Sequence, residues 1–332
     1  MSQGAARDLV DPFGRVVRDL RISVTDRCNF RCTYCMPVEG MQWMPRSEIL
    51  TFEEIERLAR ICVERFGFGG IRLTGGEPTL RAHITRLVEK LAGLGVDLAM
   101  TTNASTLRHS AHDLRHAGLR RINISLDTLD RAKFARMTRR DELDNVVLGI
   151  AAAKAAGFDP VKINAVVERG VNDDEVVDLA RFARDEGLEI RFIEFMPLDA
   201  SDEWQRAKVV GQDEIVATLH AAWPVEVVPA RGAAPANRWR YLDGGGTVGV
   251  IPTVTKPFCG DCDRVRLTAD GQFRTCLFAT DEFDLRAALR GGESDDEIAA
   301  RIERAVGTKW AGHQINQVNF IRPKRTMSQI GG

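Results

Sequence analysis

Leu20-Arg21-Ile22-Ser23-Val24-Thr25-Asp26-Arg27-Cys28-Asn29-Phe30-Arg31-Cys32-Thr33-Tyr34-Cys35 carries an apolar strand pattern directly into three closely spaced cysteines. The spacing is C-x3-C-x2-C, so one loop gathers three thiols and no fourth lies beside them. Thiolates are soft ligands that suit iron–sulfur clusters and zinc. Three protein ligands to a four-iron cluster leave one iron open to a small molecule. The competing reading is a zinc knuckle with a remote fourth ligand, although zinc sites usually come as paired C-x2-C or Cys/His sets. A second set, Cys259-Gly260-Asp261-Cys262 followed by thirteen residues and Cys276, again holds three cysteines. No histidine lies between Val265 and Cys276. The seventh cysteine, Cys62, falls in a helical pattern and reads as a small buried hydrophobe.

Outward from the first run, short apolar strands alternate with amphipathic helices. Strands are expected at 20–25, 70–74, 98–101, 121–125, 161–167 and 189–195, and helices at 51–66, 107–117, 141–156 and 173–186. The first helix is the clearest, with Thr51 and Glu54 as a capping box and Phe52, Ile55, Leu58, Ala59 and Cys62 on one face. Alternation of this kind implies a parallel sheet with right-handed crossovers. Six such units are two short of a closed (β/α)8 barrel, so an open partial barrel is expected. A doubly wound sheet competes, and periodicity does not separate the two. Beyond Gly211 come a helix at 211–223, short strands at 225–228, 239–241 and 247–251, and a turn at Gly244-Gly245-Gly246. A hairpin at 264–268 and 272–276 then closes around Asp270-Gly271. The fold class is therefore α/β. A partial (βα)6 TIM-like barrel is expected over 1–223, and a small C-terminal α+β region over 224–332 is expected to cover the barrel mouth.

Polar residues gather after the strands, where parallel α/β folds build their sites. The first cysteine set follows strand one, Gly75-Gly76-Glu77-Pro78 strand two, Thr102-Asn103 strand three and Ser125-Leu126-Asp127 strand four. The two glycines allow close backbone approach, and Glu77 could accept from a substrate ammonium. In Arg264-Val265-Arg266 the alternation points both arginines to one strand face, which is either a site rim or merely solvated. The end, Arg322 to Gly332, reads on its own as a frayed terminus.

Hydrophobic residues at 44%, charged residues at 28% and a net charge of −1 describe a soluble globule with no global field for nucleic acid or membrane. An anionic substrate would need local arginines. The first eight residues lack a signal-peptide core and no apolar run reaches membrane-span length, so a cytoplasmic location is expected. Thiols in unpaired sets of three also suit a reducing compartment.

Taken together the motifs resemble the GTP 3′,8-cyclase (MoaA-type) family of molybdenum cofactor biosynthesis, within the radical S-adenosylmethionine (SAM) superfamily. The resemblance spans nearly the whole chain, from the first run through Arg72-Leu73-Thr74-Gly75-Gly76-Glu77-Pro78, Arg191-Phe192-Ile193-Glu194-Phe195-Met196 and the second cysteine set to Gly331-Gly332. It implies that Cys28, Cys32 and Cys35 hold a 4Fe–4S cluster whose open iron chelates SAM. Tyr34, Gly76, Ser125 and Met196 match SAM-contacting positions. Cys259, Cys262 and Cys276 would hold a second 4Fe–4S cluster facing the guanine of GTP. Arg21, Arg72, Thr101, Lys162, Arg264, Val265 and Arg266 match GTP-contacting positions, and Gly331-Gly332 would insert toward the active site. Arg264, Arg266, Gly331 and Gly332 are the implied catalytic group, whereas Arg274 has no matched role.

The implied reaction cleaves SAM to a 5′-deoxyadenosyl radical, which abstracts the C3′ hydrogen of GTP. Attack of the resulting C3′ radical on C8, followed by a further electron and a proton, then gives (8S)-3′,8-cyclo-7,8-dihydroguanosine 5′-triphosphate. An electron donor of unspecified identity, and a cyclic pyranopterin synthase as downstream neighbour, are the implied partners, and a homodimer is one assembly open to the chain. Ala104 stands where the family pattern expects glycine; it is tolerable unless the position needs positive φ. Rival readings are a peptide-modifying radical SAM enzyme, an electron-transfer protein and a zinc-binding interaction protein. The first usually carries more C-terminal cysteines, and the second closes each cluster with four.

Overall fold

The computed structural model describes residues 6–37, 41–198, 204–229, 232–318 and 320–331. Six βα units begin with β1 (Asp19–Ser23), α1 (Phe52–Phe66), β2 (Gly70–Thr74), α2 (Ile84–Ala92), β3 (Asp97–Thr102), α3 (Ala111–His116) and β4 (Arg121–Ser125). They continue through α4 (Arg131–Thr138), α5 (Leu143–Ala155), β5 (Val161–Val167), α6 (Val176–Asp185), β6 (Glu189–Glu194) and α7 (Gln212–Ala222). Strands β1 to β6 are parallel and adjacent in chain order. A doubly wound sheet reverses that order part-way, so this competitor is removed.

The remaining strands are β7 (Val225–Val228), β8 (Asn237–Tyr241), β9 (Thr247–Ile251), β10 (Arg264–Leu267), β11 (Gln272–Arg274) and β12 (Phe283–Asp284), followed by helices α8 (Leu285–Arg290), α9 (Asp295–Val306) and α10 (Met327–Ile330). They extend both edges of one sheet. β9 joins β6 in parallel and leads to β8 and β7, while β10 joins β1 in parallel and leads to β11 and β12. The register sets Arg266, Arg21 and Arg72 abreast on three neighbouring strands. Like charges abreast are unfavourable unless an anion intervenes.

Local signals explain most elements. Thr51 and Glu54 cap α1 reciprocally, and Gly67 ends it at φ 64°. The helix expected at 107–117 is instead a single 3-10 turn, Leu107–His109, followed by α3. α2, α4, α8 and α9 were not expected. α2 buries Ile84, Leu87, Val88 and Leu91 at helical spacing, but His83 enters it without a side-chain cap. Cys62 is buried in the core as expected.

Ala104 does occupy the left-handed region, at φ 60°, and is fully buried. This meets the one condition under which alanine is strained there. Its carbonyl oxygen lies where a Cβ on Gly149 of α5 would fall, 2.2 Å away. Gly149→Ala should therefore destabilise the protein by about 1–3 kcal/mol through overpacking, despite alanine's better helix propensity. A chemical-denaturation midpoint at or above that of the parent would show that the Ala104 loop yields freely.

Candidate active site

The first cysteine loop is rooted by backbone pairing. Val24 donates to Thr74 O, Gly76 to Thr25 O at 2.7 Å and Glu77 to Arg27 O at 2.8 Å. A Cβ on Gly76 would lie 2.3 Å from Arg27 O, so glycine here seats the cysteine loop itself. Further out, Arg31 and Thr33 donate to Thr138 O and Met137 O at the end of α4.

Cys28, Cys32 and Cys35 line one cavity with Tyr34, Gly76, Ser125 and Met196. All the residues matched to SAM thus meet at the C-terminal ends of the strands. Thr101, matched to GTP, opens into the same cavity. Burial pushes the Cys28 thiol up to about 11 and the Cys35 thiol up to about 12. Metal coordination is the ordinary way to hold such thiols deprotonated. Cys28 Sγ accepts from Phe30 N–H at 3.4 Å and weakly from Asn103 Nδ2 at 3.9 Å, as cluster sulfurs do. The donor set therefore fits an iron–sulfur cluster with one open position.

Glu77 is more committed than its sequence position suggests. Its Oε1 takes Thr79 N–H, Thr79 Oγ1 and Thr102 Oγ1, and Oε2 takes Asn103 N–H at 2.6 Å. Only Oε2 keeps room for an ammonium. Asp127, placed by the sequence among the polar residues after strand four but given no role, acquires one here. It accepts from Tyr34 Oη at 2.6 Å and Val166 N–H at 2.8 Å, and burial raises its carboxyl to about 6. Asn164 also lines this cavity, and its Oδ1 is buried without a partner.

A second cavity draws on the N-terminal halves of the strands, not on their C-terminal ends. Arg21, Arg72, Lys162 and Arg264 line it, joined by the unforeseen Arg121, Arg191 and Arg238. Seven cations and two carboxylates, Asp19 and Asp263, line it, while Glu189 pairs with Lys162 and Arg191 and Asp97 pairs with Arg121 just outside the lining. Arg21 Nε, Arg72 Nε, and Arg264 Nε and Nη2 are buried donors with no hydrogen-bond partner. Burial, and then the Arg21 charge, lower the Arg72 guanidinium to about 9. Unsatisfied buried cations of this kind are costly unless an anion enters.

Arg266 does not line that cavity. Its Nη1 donates to Gly331 O. Val265 belongs to the hydrophobic core, so its side chain has no route to a substrate. The tail is not frayed over the described residues. Thr326 and Gln329 cap α10 reciprocally, Ile330 and Gly331 are buried, and Met327 and Ser328 line the thiol cavity. Gly331 has φ 85°, and a Cβ there would lie 2.6 Å from Thr74 Oγ1. Gly332 lies outside the described residues.

The second cysteine set stands beside the cation cavity, where Asp263 and Arg264 follow Cys262 directly. Cys259 accepts the backbone N–H of His313, and Cys276 Sγ accepts Phe278 N–H at 3.4 Å. Burial raises the Cys262 thiol, but the Arg264 and Lys309 charges outweigh it and the net shift is downward. This donor set, too, fits a cluster better than neutral thiols.

Two family models divide the chain, one for the radical SAM superfamily over residues 22–183 and one named Molybdenum Cofactor Synthesis C over 188–315. A GTP 3′,8-cyclase of Mycolicibacterium smegmatis is 50% identical, over 98% of this chain and 92% of that protein. Another, of Streptomyces coelicolor, is 49% identical over 100% of this chain and 98% of that protein. The chain belongs to the GTP 3′,8-cyclase family.

Among solved structures, the cyclase-family chain resembles Streptococcus suis SuiB bound to S-adenosylmethionine, with TM-score 0.60 and 14% identity over 94% of this chain and 77% of that one. At that identity the likeness concerns the fold alone. Arg274 is not an idle neighbour of Arg264 and Arg266 but is 2% exposed, paired with Glu282 and donating to Ala279 O. Replacing it would break a buried ion pair, so it cannot serve as a neutral comparison. Arg240, exposed on β8 beside Glu226, can.

Proposed function

We propose that the chain is a GTP 3′,8-cyclase, converting GTP to (8S)-3′,8-cyclo-7,8-dihydroguanosine 5′-triphosphate at the first step of molybdenum cofactor biosynthesis. The unpartnered guanidinium nitrogens of Arg21, Arg72 and Arg264 carry this reading. They await a polyanion, and arginine forks suit phosphate oxygens. Cys28, Cys32 and Cys35 would hold one 4Fe–4S cluster, and Cys259, Cys262 and Cys276 another. When bound, the first cluster supplies the electron that cleaves SAM, and the protein does the rest. Tyr34, Gly76, Ser125 and Met196 would seat SAM, the cations of the second cavity would orient the triphosphate, and Met327 and Ser328 of the buried tail would shield the SAM cavity from water.

The uninterrupted order of β1 to β6 supports a partial (βα)6 barrel, with the boundary near 223 separating it from a region that carries the second set and the tail. GTP is the substrate, an electron donor is required, and a cyclic pyranopterin synthase would take the product onward. A cytoplasmic enzyme is the setting we infer, with a homodimer as one assembly open to it. No helix among the described residues is long and apolar enough to cross a membrane.

Arg72→Ala tests the phosphate reading without touching either cysteine set. GTP affinity should fall about tenfold or more, since a lost contact to a charged group costs roughly 1.5–3 kcal/mol. The ligand-free variant should be no less stable than the parent, because a buried unpaired cation has been removed. Arg240→Ala should bind GTP normally. Equal affinity in the Arg72 variant and the parent, by anaerobic equilibrium binding, would contradict a triphosphate site there.

A further inference from the structure

We propose that Lys309 is a built-in counter-cation of the second cysteine set and raises the reduction potential of the cluster held there. The inference rests on the two-cluster reading above. Lys309 follows the end of α9 and is 3% exposed. Its Nζ donates to Arg264 O at 2.7 Å and to Thr275 O at 2.5 Å. The first carbonyl lies two residues after Cys262 and the second immediately before Cys276. One ammonium therefore bridges the two chain segments that present these cysteines.

Among the described residues no carboxylate forms an ion pair with Lys309. Burial is the largest influence on Lys309 and lowers its pKa; the charges that counter it are, in order, those Cys262 and Cys276 would carry as cluster ligands, and then Asp11. Asp11 is already taken by Arg15 at 2.5 Å. Arg15 in turn ties Cys259 O to Trp310 O and Ala311 O, so the segment after α9 buttresses the whole set. A buried ammonium held only by carbonyls is poorly compensated. Thiolates bound to a cluster supply the missing negative charge.

The consequence is electrostatic. One-electron reduction adds one negative charge to a cluster, and a fixed cation nearby favours the reduced form, more so where water is excluded. Lys309 carries no signal in the sequence, because a single lysine outside any motif looks like an ordinary solvated cation.

The test compares reconstituted holoenzyme as parent, Lys309→Gln and Lys309→Arg, with iron content and a potentiometric EPR titration of each cluster. Glutamine keeps two N–H donors and removes the charge, while arginine keeps both. In Lys309→Gln the reduced-to-oxidised ratio of the second cluster at fixed potential should fall about tenfold, a shift of about 59 mV to more negative potential for a one-electron couple. The first cluster should not shift, and Lys309→Arg should stay close to the parent. Selective loss of the second cluster's iron from Lys309→Gln, with Lys309→Arg intact, also assigns the role to the charge. Full iron with an unshifted potential in Lys309→Gln overturns the proposal, as does Lys309→Arg behaving like Lys309→Gln. A parent protein binding only about four irons would instead overturn the two-cluster reading itself.

Discussion

Replacing Cys28, Cys32 and Cys35 together by alanine should halve the iron, from about eight to about four per chain, and abolish reductive cleavage of SAM. The expectation follows from how the loop is held. Its root is fixed by Gly76 and Glu77 backbone donors, and its middle by contacts to the end of α4. The three thiols thus share the cavity with Tyr34, Gly76, Ser125 and Met196. Alanine at the three positions leaves those backbone bonds in place, so the fold should survive and the second set should keep its iron. Iron analysis and quantitation of 5′-deoxyadenosine check both halves. A triple variant that still cleaves SAM would remove the first set from the chemistry.

The complementary variant, Cys259, Cys262 and Cys276 to alanine, should separate the two sites by function. The thiol cavity at the strand C-termini takes no lining residue from this set. SAM should still bind and be cleaved slowly when dithionite is supplied. Cyclised nucleotide should be absent, because the second set borders the cation cavity through Asp263 and Arg264. Normal GTP turnover by this variant would reduce the second set to a structural brace.

The sequence made the sheet readable because its strands are short apolar runs between turns and amphipathic helices. β2, β4 and β5 have the expected bounds, and the Asp270-Gly271 hairpin is present between β10 and β11. The cysteine sets were equally visible, since their meaning lies in local spacing. What escaped notice was assembled from distant parts. Arg121, Arg191 and Arg238 come from three strands, and each alone looks like an exposed cation. The position of the cation cavity was also missed, because the habit of parallel folds directs attention to strand C-termini. Arg274 has no matched role in the sequence because Glu282, its partner, is brought to it only by folding. The buried tail carried a signal in Thr326 and Gln329, a capping box that a short terminal helix of four residues hardly advertises. Ala104 shows the limit of pattern matching. The departure from glycine was visible, but only the backbone reveals that φ is positive there.

Cyclisation of GTP by this protein is tested most directly by a single anaerobic incubation of reconstituted protein with SAM, dithionite and GTP carrying deuterium at C3′. The expected product is a nucleotide isomeric with GTP, with a bond between C3′ and C8 by NMR, and deuterium recovered in 5′-deoxyadenosine. Cleavage of SAM with GTP recovered unchanged, and no deuterium transferred, would contradict it.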